Sequence, residues 1–279
     1  MSNVVVLMTW NLERWRACMP WLDRAFEVFW RIAIILLPWQ TRWFQEGPVL
    51  GGYPWEGGRV SMYVSWVPII ATVIFGYLRR GAWHAPVPGG HRGGSTPSTP
   101  TRIVLILVIA SIFVSVYRPA TIQWWVEVLL LASFVWTLVR EVHRDDLMRW
   151  IVYAIIPHAL LGVMQHLTQM VVGSKWLGMA SQNPLTPGVS IVEAASRRWL
   201  RAYGGFPHPN ILGGWLVLGI GSVLSLGRAG LKPAPTCLIS GLFAGCLVLT
   251  FSRSAWLALA ALMFVMTIAV FRSNQVGVR

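Results

Sequence analysis

The sequence predicts an all-α fold, a polytopic transmembrane helical bundle of about eight spans. Of the 279 residues, 55% are hydrophobic and only 12% are charged, whereas soluble domains carry about 25% charged residues. Several apolar runs approach the length of about 20 residues that crosses a bilayer as a helix. Period-two alternation, which would indicate a barrel, does not occur along these runs. Residues 1–279 are therefore interpreted as a single membrane domain whose solvent is the lipid bilayer.

The formal net charge of +13 would favour a nucleic-acid partner in a soluble protein. Here the basic residues lie mainly in short loops between apolar runs, where they attract anionic lipid and set the topology. No nucleic-acid partner is therefore expected. The three cysteines give no disulfide framework, because Cys237 and Cys246 lie too far apart on one apolar run and Cys18 is alone.

The first half of the chain is predicted to hold four spans joined by polar loops. The spans cover about 22–39, 61–78, 103–117 and 121–139. Gly-Pro and Gly-Gly pairs indicate turns in the first loop, 40–60. Pro, Gly, Ser and Thr dominate residues 81–101, which are predicted to be a flexible linker. His84 and His91 in this linker have no Cys or carboxylate near them, so no metal site is expected there.

The loop 140–149 contains two adjacent acids, Asp145 and Asp146. They resemble an acidic motif that could hold Mg²⁺ and a diphosphate. Arginines on both sides favour the alternative, a solvated loop whose charges offset one another. No metal or other cofactor is predicted for this chain.

The fifth predicted span, about 150–171, carries a polar face. Pro157 is expected to kink the helix, and four polar residues fall close to one side of it: His158, Gln165, His166 and Gln169. Ionisable groups inside a bundle are candidates for function. They also serve as hydrogen-bond partners between helices, and the sequence leaves both alternatives open.

The last three spans follow the longest polar segment of the second half, residues 172–205. They cover about 209–226, 236–251 and 254–271. We expect the sixth span to begin at Pro209-Asn210, since Pro suits the first turn of a helix. The seventh and eighth spans are expected to meet in a sharp break at Ser252-Arg253.

The distribution of basic residues predicts that both chain ends lie in the cytoplasm, since most Lys and Arg then face that side. Eight basic residues fall on the outer face, against fourteen inside, and four of the eight belong to the stretch 197–256: Arg197, Arg198, Arg201 and Arg253. Guanidinium groups are permanently charged and bind phosphate bidentately. Asn210 can cap the sixth span and leave the positive end of a helix dipole at the same place.

These elements suit a lipid-linked diphosphate at the outer membrane surface. The residues predicted to bind it are Arg201, Arg253, Asn210 and Arg198. The alternative is that the arginines only anchor the chain to phospholipid headgroups. Residue chemistry alone leaves both possibilities open.

Two motifs resemble those of the O-antigen ligase and O-antigen polymerase family. The first is 201–210, RAYGGFPHPN, and the second, two spans later, is 249–255, LTFSRSA. Residues 37–42, LPWQTR, at the end of the first span, also fit. The resemblance is tightest over about 197–260 and extends loosely over the whole chain.

The resemblance implies a bundle of about twelve spans in the bacterial cytoplasmic membrane. With the orientation that the basic residues predict, 172–205 is a periplasmic loop and 81–101 is a cytoplasmic linker. Such enzymes transfer a glycan from undecaprenyl diphosphate to an acceptor, which is lipid A core, growing polysaccharide or protein. The reaction is inverting and metal-independent. Arg201 and Arg253 match the family's essential arginines, which hold the diphosphate and stabilise its charge as it leaves.

The family's catalytic His lies in a large periplasmic loop after the Ser-Arg helix. The chain stops at Arg279, just after that helix, so it is expected to be a C-terminally truncated family member without that loop. No His of this sequence is assigned the catalytic role. Donor binding is the function expected of this part.

A membrane transporter, similar to relatives described as bicarbonate transporters, and a non-catalytic membrane scaffold are the alternative predictions. A transporter should show internal repeats and broken mid-span helices, and no repeat relates the two halves of the sequence. A scaffold leaves the outer arginines unexplained. Glycan transfer is therefore the preferred prediction.

Overall fold

The computed structural model describes residues 20–45, 48–50, 53–54, 59–81, 108, 110–194 and 196–276. The helices are α1 Pro20–Leu36, α2 Trp66–Gly81, α3 Arg118–Glu141, α4 Arg144–Thr168, α5 Pro209–Arg228, α6 Pro233–Leu249 and α7 Arg253–Val276. The strands are β1 Arg42–Gln45, β2 Val49–Leu50, β3 Tyr53–Pro54, β4 Val60–Tyr63, β5 Ile191–Ala194 and β6 Arg197–Leu200. Apart from Gly81, the predicted linker 81–101 with His84 and His91 lies outside the described residues, as does most of 101–109.

Four helices are long and apolar enough to cross a membrane: α3, α4, α5 and the part of α7 from Arg253 to Phe271. The helical class is thus confirmed, and the four helices have the length and hydropathy expected of membrane spans. Within the described residues, four helices meet these criteria, fewer than the eight spans predicted. Helix α6 and the apolar part of α2, Trp66–Arg79, are shorter than a full crossing, and α1 has 17 residues with several charges among them.

The prediction of an all-α fold needs one correction, because the polar loops contain three small antiparallel sheets. Strand β1 pairs with β4, β2 with β3, and β5 with β6. The β5–β6 hairpin brings Ile191 opposite Leu200 and Glu193 opposite Arg198. Val171, Leu200 and Tyr203 form a small buried cluster beneath this hairpin. The loop 172–205 is therefore an ordered element with its own apolar contacts.

The chain divides into two compact units, residues 1–33 with 42–142, and residues 34–41 with 143–279. In the first unit α2 packs against α3. Its buried side chains include Phe26, Trp30, Ile69 and Phe134. A Cβ on Gly76 would lie 2.5 Å from the Thr137 methyl group, so glycine permits this close approach of α2 and α3.

The second unit is organised around α5, which packs on α4, α6 and α7. Leu212, Leu216 and Phe243 are fully buried in its core. A Cβ on Gly213 would lie 2.8 Å from the Ala255 Cβ, so glycine lets the first turn of α7 approach α5 closely. Helix α5 begins at Pro209, and α6 ends three residues before Ser252. The predicted start of the sixth span and the break at Ser252-Arg253 are both confirmed.

Candidate anion-binding site

A cavity of about 670 Å³ lies where α5 and α7 begin. Its lining consists of Ile191, Val192, Arg201, Asn210, Phe251, Arg253, Ser254 and Trp256. Two guanidinium groups separated by about fifty residues of sequence therefore border one space. Of the predicted site residues, the structure brings together Arg201, Arg253 and Asn210, and leaves Arg198 outside this lining.

The Arg201 side chain connects its own loop, by hydrogen bonds, to the junction between α6 and α7. Its Nε donates to the Thr250 carbonyl at 2.6 Å, and its Nη2 donates to the Phe251 carbonyl at 3.3 Å. These two carbonyls follow the last residue of α6, Leu249, and Arg201 gives each of them a hydrogen-bond donor. The neighbouring Ala202 N–H adds a third bond, to the Leu249 carbonyl at 3.0 Å. The two sequence motifs are thus joined directly.

The same bonds determine how Arg201 can face a ligand. Its Nη2 also donates to Asn210 Oδ1 at 2.7 Å, so Nε and Nη2 are both engaged by protein. The Nη1 group has no hydrogen-bond partner among the described residues. Arg201 therefore offers a phosphate Nη1 alone, unless Asn210 gives up its bond and one N–H of Nη2 becomes available as well.

Arg253 is the first residue of α7 and is exposed. Its guanidinium makes no ion pair or hydrogen bond with another described side chain. Ser252 precedes it at the N-cap position, where its Oγ accepts from the Ala255 N–H at 3.4 Å. A cation at a helix N-terminus is unfavourable, because the dipole there is already positive. The charge and the dipole together favour an anion at this place.

Asn210 was expected to cap the helix that begins beside the site, and this is wrong. His208 is the N-cap, and its side chain accepts from the Asn210 N–H at 3.2 Å. Pro209 takes the first helical position, so Asn210 falls one residue inside the helix. Its side-chain oxygen is directed instead to Arg201.

The site favours a neutral imidazole at His208. Burial lowers the pKa of His208, and the positive charge of Arg201 lowers this pKa further. A neutral Nδ1 is needed to accept from the Asn210 N–H, so the other nitrogen, Nε2, donates to Ser190 Oγ at 3.0 Å. Burial also lowers the pKa of Arg201, against a smaller opposing contribution from Tyr203. Arginine remains charged in proteins despite such a shift.

The polar face of α4 holds the backbone that presents Arg201. Gln165 is 2% exposed, and its Oε1 accepts from the N–H groups of Tyr203 and Gly204 at 3.2 and 2.8 Å. The Nδ1 of His158 bonds to the Gly204 carbonyl. These contacts hold both the N–H group and the carbonyl group of Gly204 against α4.

One turn further along α4, two side chains bind the residue just before Arg201. The Nδ1 of His166 bonds to the Leu200 carbonyl at 2.7 Å, and the Gln169 Oε1 accepts from the Leu200 N–H at 2.7 Å. Of the two alternatives for this polar face, the structure favours the hydrogen-bonding one. The partner differs from the expected one, because it is the Leu200–Gly204 segment and not a neighbouring helix.

The Gly204-Gly205 turn requires glycine at both positions. Their φ angles are +61° and +90°, which residues with a Cβ rarely adopt. A Cβ on Gly204 would also lie 2.5 Å from the His158 carbonyl oxygen. The motif glycines therefore bring the loop against α4 and reverse it toward the start of α5.

Arg197 and Arg198 belong to strand β6 and not to the cavity. Arg198 pairs with Glu193, its cross-strand neighbour, at 3.7 Å, and Arg197 is exposed. The predicted cluster of three loop arginines is thus divided, because the hairpin ends at Leu200 before Arg201 turns toward α6. Sequence inspection missed the hairpin, whose strands are only four residues long.

The adjacent acids of the loop 140–149 begin α4 and lie in its first turn. Asp146 pairs with Arg149 at 3.3 Å, and acids in a first turn complement the helix dipole. Within the described part of the chain, no three His, Cys, Asp or Glu residues form a group that could hold a metal ion.

No family model matches this chain, and neither a curated protein nor a solved structure matches it significantly.

Proposed function

We propose that this chain binds the diphosphate of a polyprenyl-linked glycan donor in the cavity bordered by Arg201 and Arg253. In this proposal it is an O-antigen ligase-like membrane protein that serves glycan transfer to an acceptor. One observation carries the proposal. Arg201 and Arg253 come from separate motifs, yet both line the cavity at which α5 and α7 begin.

The cavity suits a diphosphate because its positive groups come from different directions. Arg253 offers a whole guanidinium fork from the start of α7, and Arg201 offers Nη1 from the first motif, 201–210. When the bond between the sugar and the diphosphate oxygen breaks, negative charge grows on the leaving diphosphate. A guanidinium group that is held in place before the reaction, as Arg201 is by Thr250 and Phe251, stabilises that charge most effectively.

The surroundings of the cavity suit the lipid part of such a donor. Trp256 lines the cavity and is 43% exposed, and the next residue, Leu257, is 72% exposed. Apolar residues thus continue from the cavity along α7, where a polyprenyl chain could lie in the bilayer. Trp199 of the hairpin is also partly exposed, as expected of an aromatic residue at a membrane interface.

The proposal includes the finer topology that the sequence predicts. The chain lies in the bacterial cytoplasmic membrane, both ends are cytoplasmic, and the loop 172–205 faces the periplasm. The positive-inside distribution of the basic residues supports this orientation. The transporter alternative required the polar side chains of α4 to line a path. These side chains instead form hydrogen bonds to the backbone of Leu200–Gly204.

The test is binding of a labelled polyprenyl-diphosphate analogue to the purified full chain in detergent. Charge-assisted hydrogen bonds contribute about 1.5–3 kcal/mol, so Arg201→Ala and Arg253→Ala should each weaken binding by about ten- to a hundredfold. Arg253→Lys should restore only part of the loss, because Lys lacks the planar fork.

Two arginines outside the cavity serve as controls. Arg149→Ala removes a surface cation that pairs with Asp146, and Arg198→Ala removes a cation of strand β6 that pairs with Glu193. Both variants should bind nearly as well as the wild type. Equal affinity of the wild type, Arg201→Ala and Arg253→Ala would reject the site.

A further inference from the structure

A second cavity, of about 750 Å³, runs along α5 in the same unit. On α5 its lining extends from Gly214 to Arg228, which corresponds to about 21 Å at a rise of 1.5 Å per residue. Leu262 and Met266 of α7 form part of its opposite wall. The cavity is therefore a long groove, comparable in length to a lipid acyl chain, between two helices long enough to span a membrane.

The groove is lined mostly by apolar and small residues, with charged residues at one end. Val217 and Leu218 line its middle part, and Gly214 contributes open space because a Cβ there would meet no atom within 4 Å. Arg144, Asp145 and Arg228 line the other end. Since α5 begins at the candidate diphosphate site and ends at Arg228, these charges lie at the opposite end of the helix from Asn210.

The structure holds Arg144 at this end by a specific contact. Its Nη2 donates to Ser225 Oγ on α5 at 3.1 Å. Arg144 is also the first residue of α4, where a cation opposes the helix dipole. The position of Arg228 has a structural explanation, since a cation stabilises the last turn of α5. Arg144 and Arg228 together place two cations at one end of the groove, and this charge favours a ligand with a negative group there.

The neighbouring helix α7 favours a lipid over a protein segment as the occupant. Only 6% of its apolar window is buried, and Phe264 is 67% exposed. In a membrane such surfaces contact acyl chains, and Leu262 and Met266 of the same helix line the groove. A phosphate at the charged end would then lie near the headgroup level, where the helix ends.

We infer that this groove is a binding site for a glycerophospholipid. One acyl chain lies between α5 and α7, and the headgroup phosphate binds Arg144 and Arg228. Asp145 faces the same end and suits the ammonium group of an ethanolamine headgroup, so phosphatidylethanolamine is the preferred lipid. The charged end of this site is separated from the proposed glycan-donor site by the length of α5, whereas its apolar end at Gly214 lies about one helical turn from Asn210.

Native mass spectrometry of the full chain in detergent, with added phosphatidylethanolamine, tests this inference. Arg144→Ala and Arg228→Ala should each weaken lipid binding by about ten- to a hundredfold, since each removes a charge-assisted contact to phosphate. Asp145→Asn should weaken binding of phosphatidylethanolamine more than binding of phosphatidylglycerol, which has no amine. Both arginines are exposed, so the substitutions should leave folding intact.

A pair of glycines gives a matched control for the acyl-chain part. Gly214→Leu fills the groove, whereas Gly241→Leu adds the same side chain to α6 outside it. A Cβ at either position meets no atom within 4 Å. Gly214→Leu should reduce lipid binding at least tenfold, and Gly241→Leu should not. Equal lipid binding by the wild type, Gly214→Leu and Arg144→Ala would overturn the inference. Unchanged donor binding in these variants would separate this result from the proposed function.

Discussion

Gln165 provides the most direct test of how the fold presents Arg201. Its buried Oε1 accepts two backbone hydrogen bonds, from Tyr203 and Gly204. Gln165→Met keeps the length of the side chain but removes the acceptor, so two buried N–H groups lose their partner. Each unsatisfied group costs about 1–3 kcal/mol, and the segment should therefore be destabilised by about 2–6 kcal/mol.

Amide hydrogen exchange, measured by mass spectrometry on peptides covering 200–206, reports this local loss. Destabilisation by about 2 kcal/mol corresponds to exchange about 30-fold faster, and larger values to more. Gln182→Met is the control, because the Gln182 side chain has no hydrogen-bond partner among the described residues. If the 200–206 peptides exchange equally in the wild type and Gln165→Met, the polar face of α4 does not hold this loop.

Three further outcomes are expected. Gly204→Ala should lower the thermal midpoint more than Gly188→Ala, because both have positive φ but only Gly204 would bring a Cβ against a backbone oxygen. Because folding lowers the pKa of His208, the stability that its cap contributes is complete above about pH 6.5 and is lost as the pH falls. At low pH the unfolded state binds more protons than the folded state. His208→Asn, a cap that does not titrate, should abolish that part of the acid dependence of thermal stability. In a background without native cysteines, an impermeant thiol reagent should label Ser181→Cys from outside and not Ala229→Cys, and the reverse would invert the topology.

The sequence predicted helix boundaries well where a local rule determines them. Pro209 suits the first position of a helix, and Ser252 is a residue that caps a helix N-terminus. Both boundaries depend on neighbouring residues alone. The shorter helices α2 and α6 were predicted as full spans because hydropathy does not show where a helix ends inside an apolar run.

Other features could not be predicted because they depend on distant partners. The acceptor role of Gln165 requires backbone groups 38 and 39 residues away, so its polar face alone left two alternatives. His208 was missed as the N-cap because Asn is the far commoner capping residue. The bonds from Arg201 to carbonyls of Thr250 and Phe251 arise only when the loop packs on the end of α6.

The central proposal is that Arg201 and Arg253 together bind a diphosphate. The most direct measurement compares polyprenyl diphosphate with polyprenyl monophosphate, in wild type, both single variants and the double variant. If both arginines bind one diphosphate, the wild type should bind the diphosphate more tightly than the monophosphate. Each Ala substitution should remove most of this preference, and the two losses should not be additive. A preference that stays unchanged in Arg201→Ala and Arg253→Ala would show that these arginines only anchor the chain at the membrane surface.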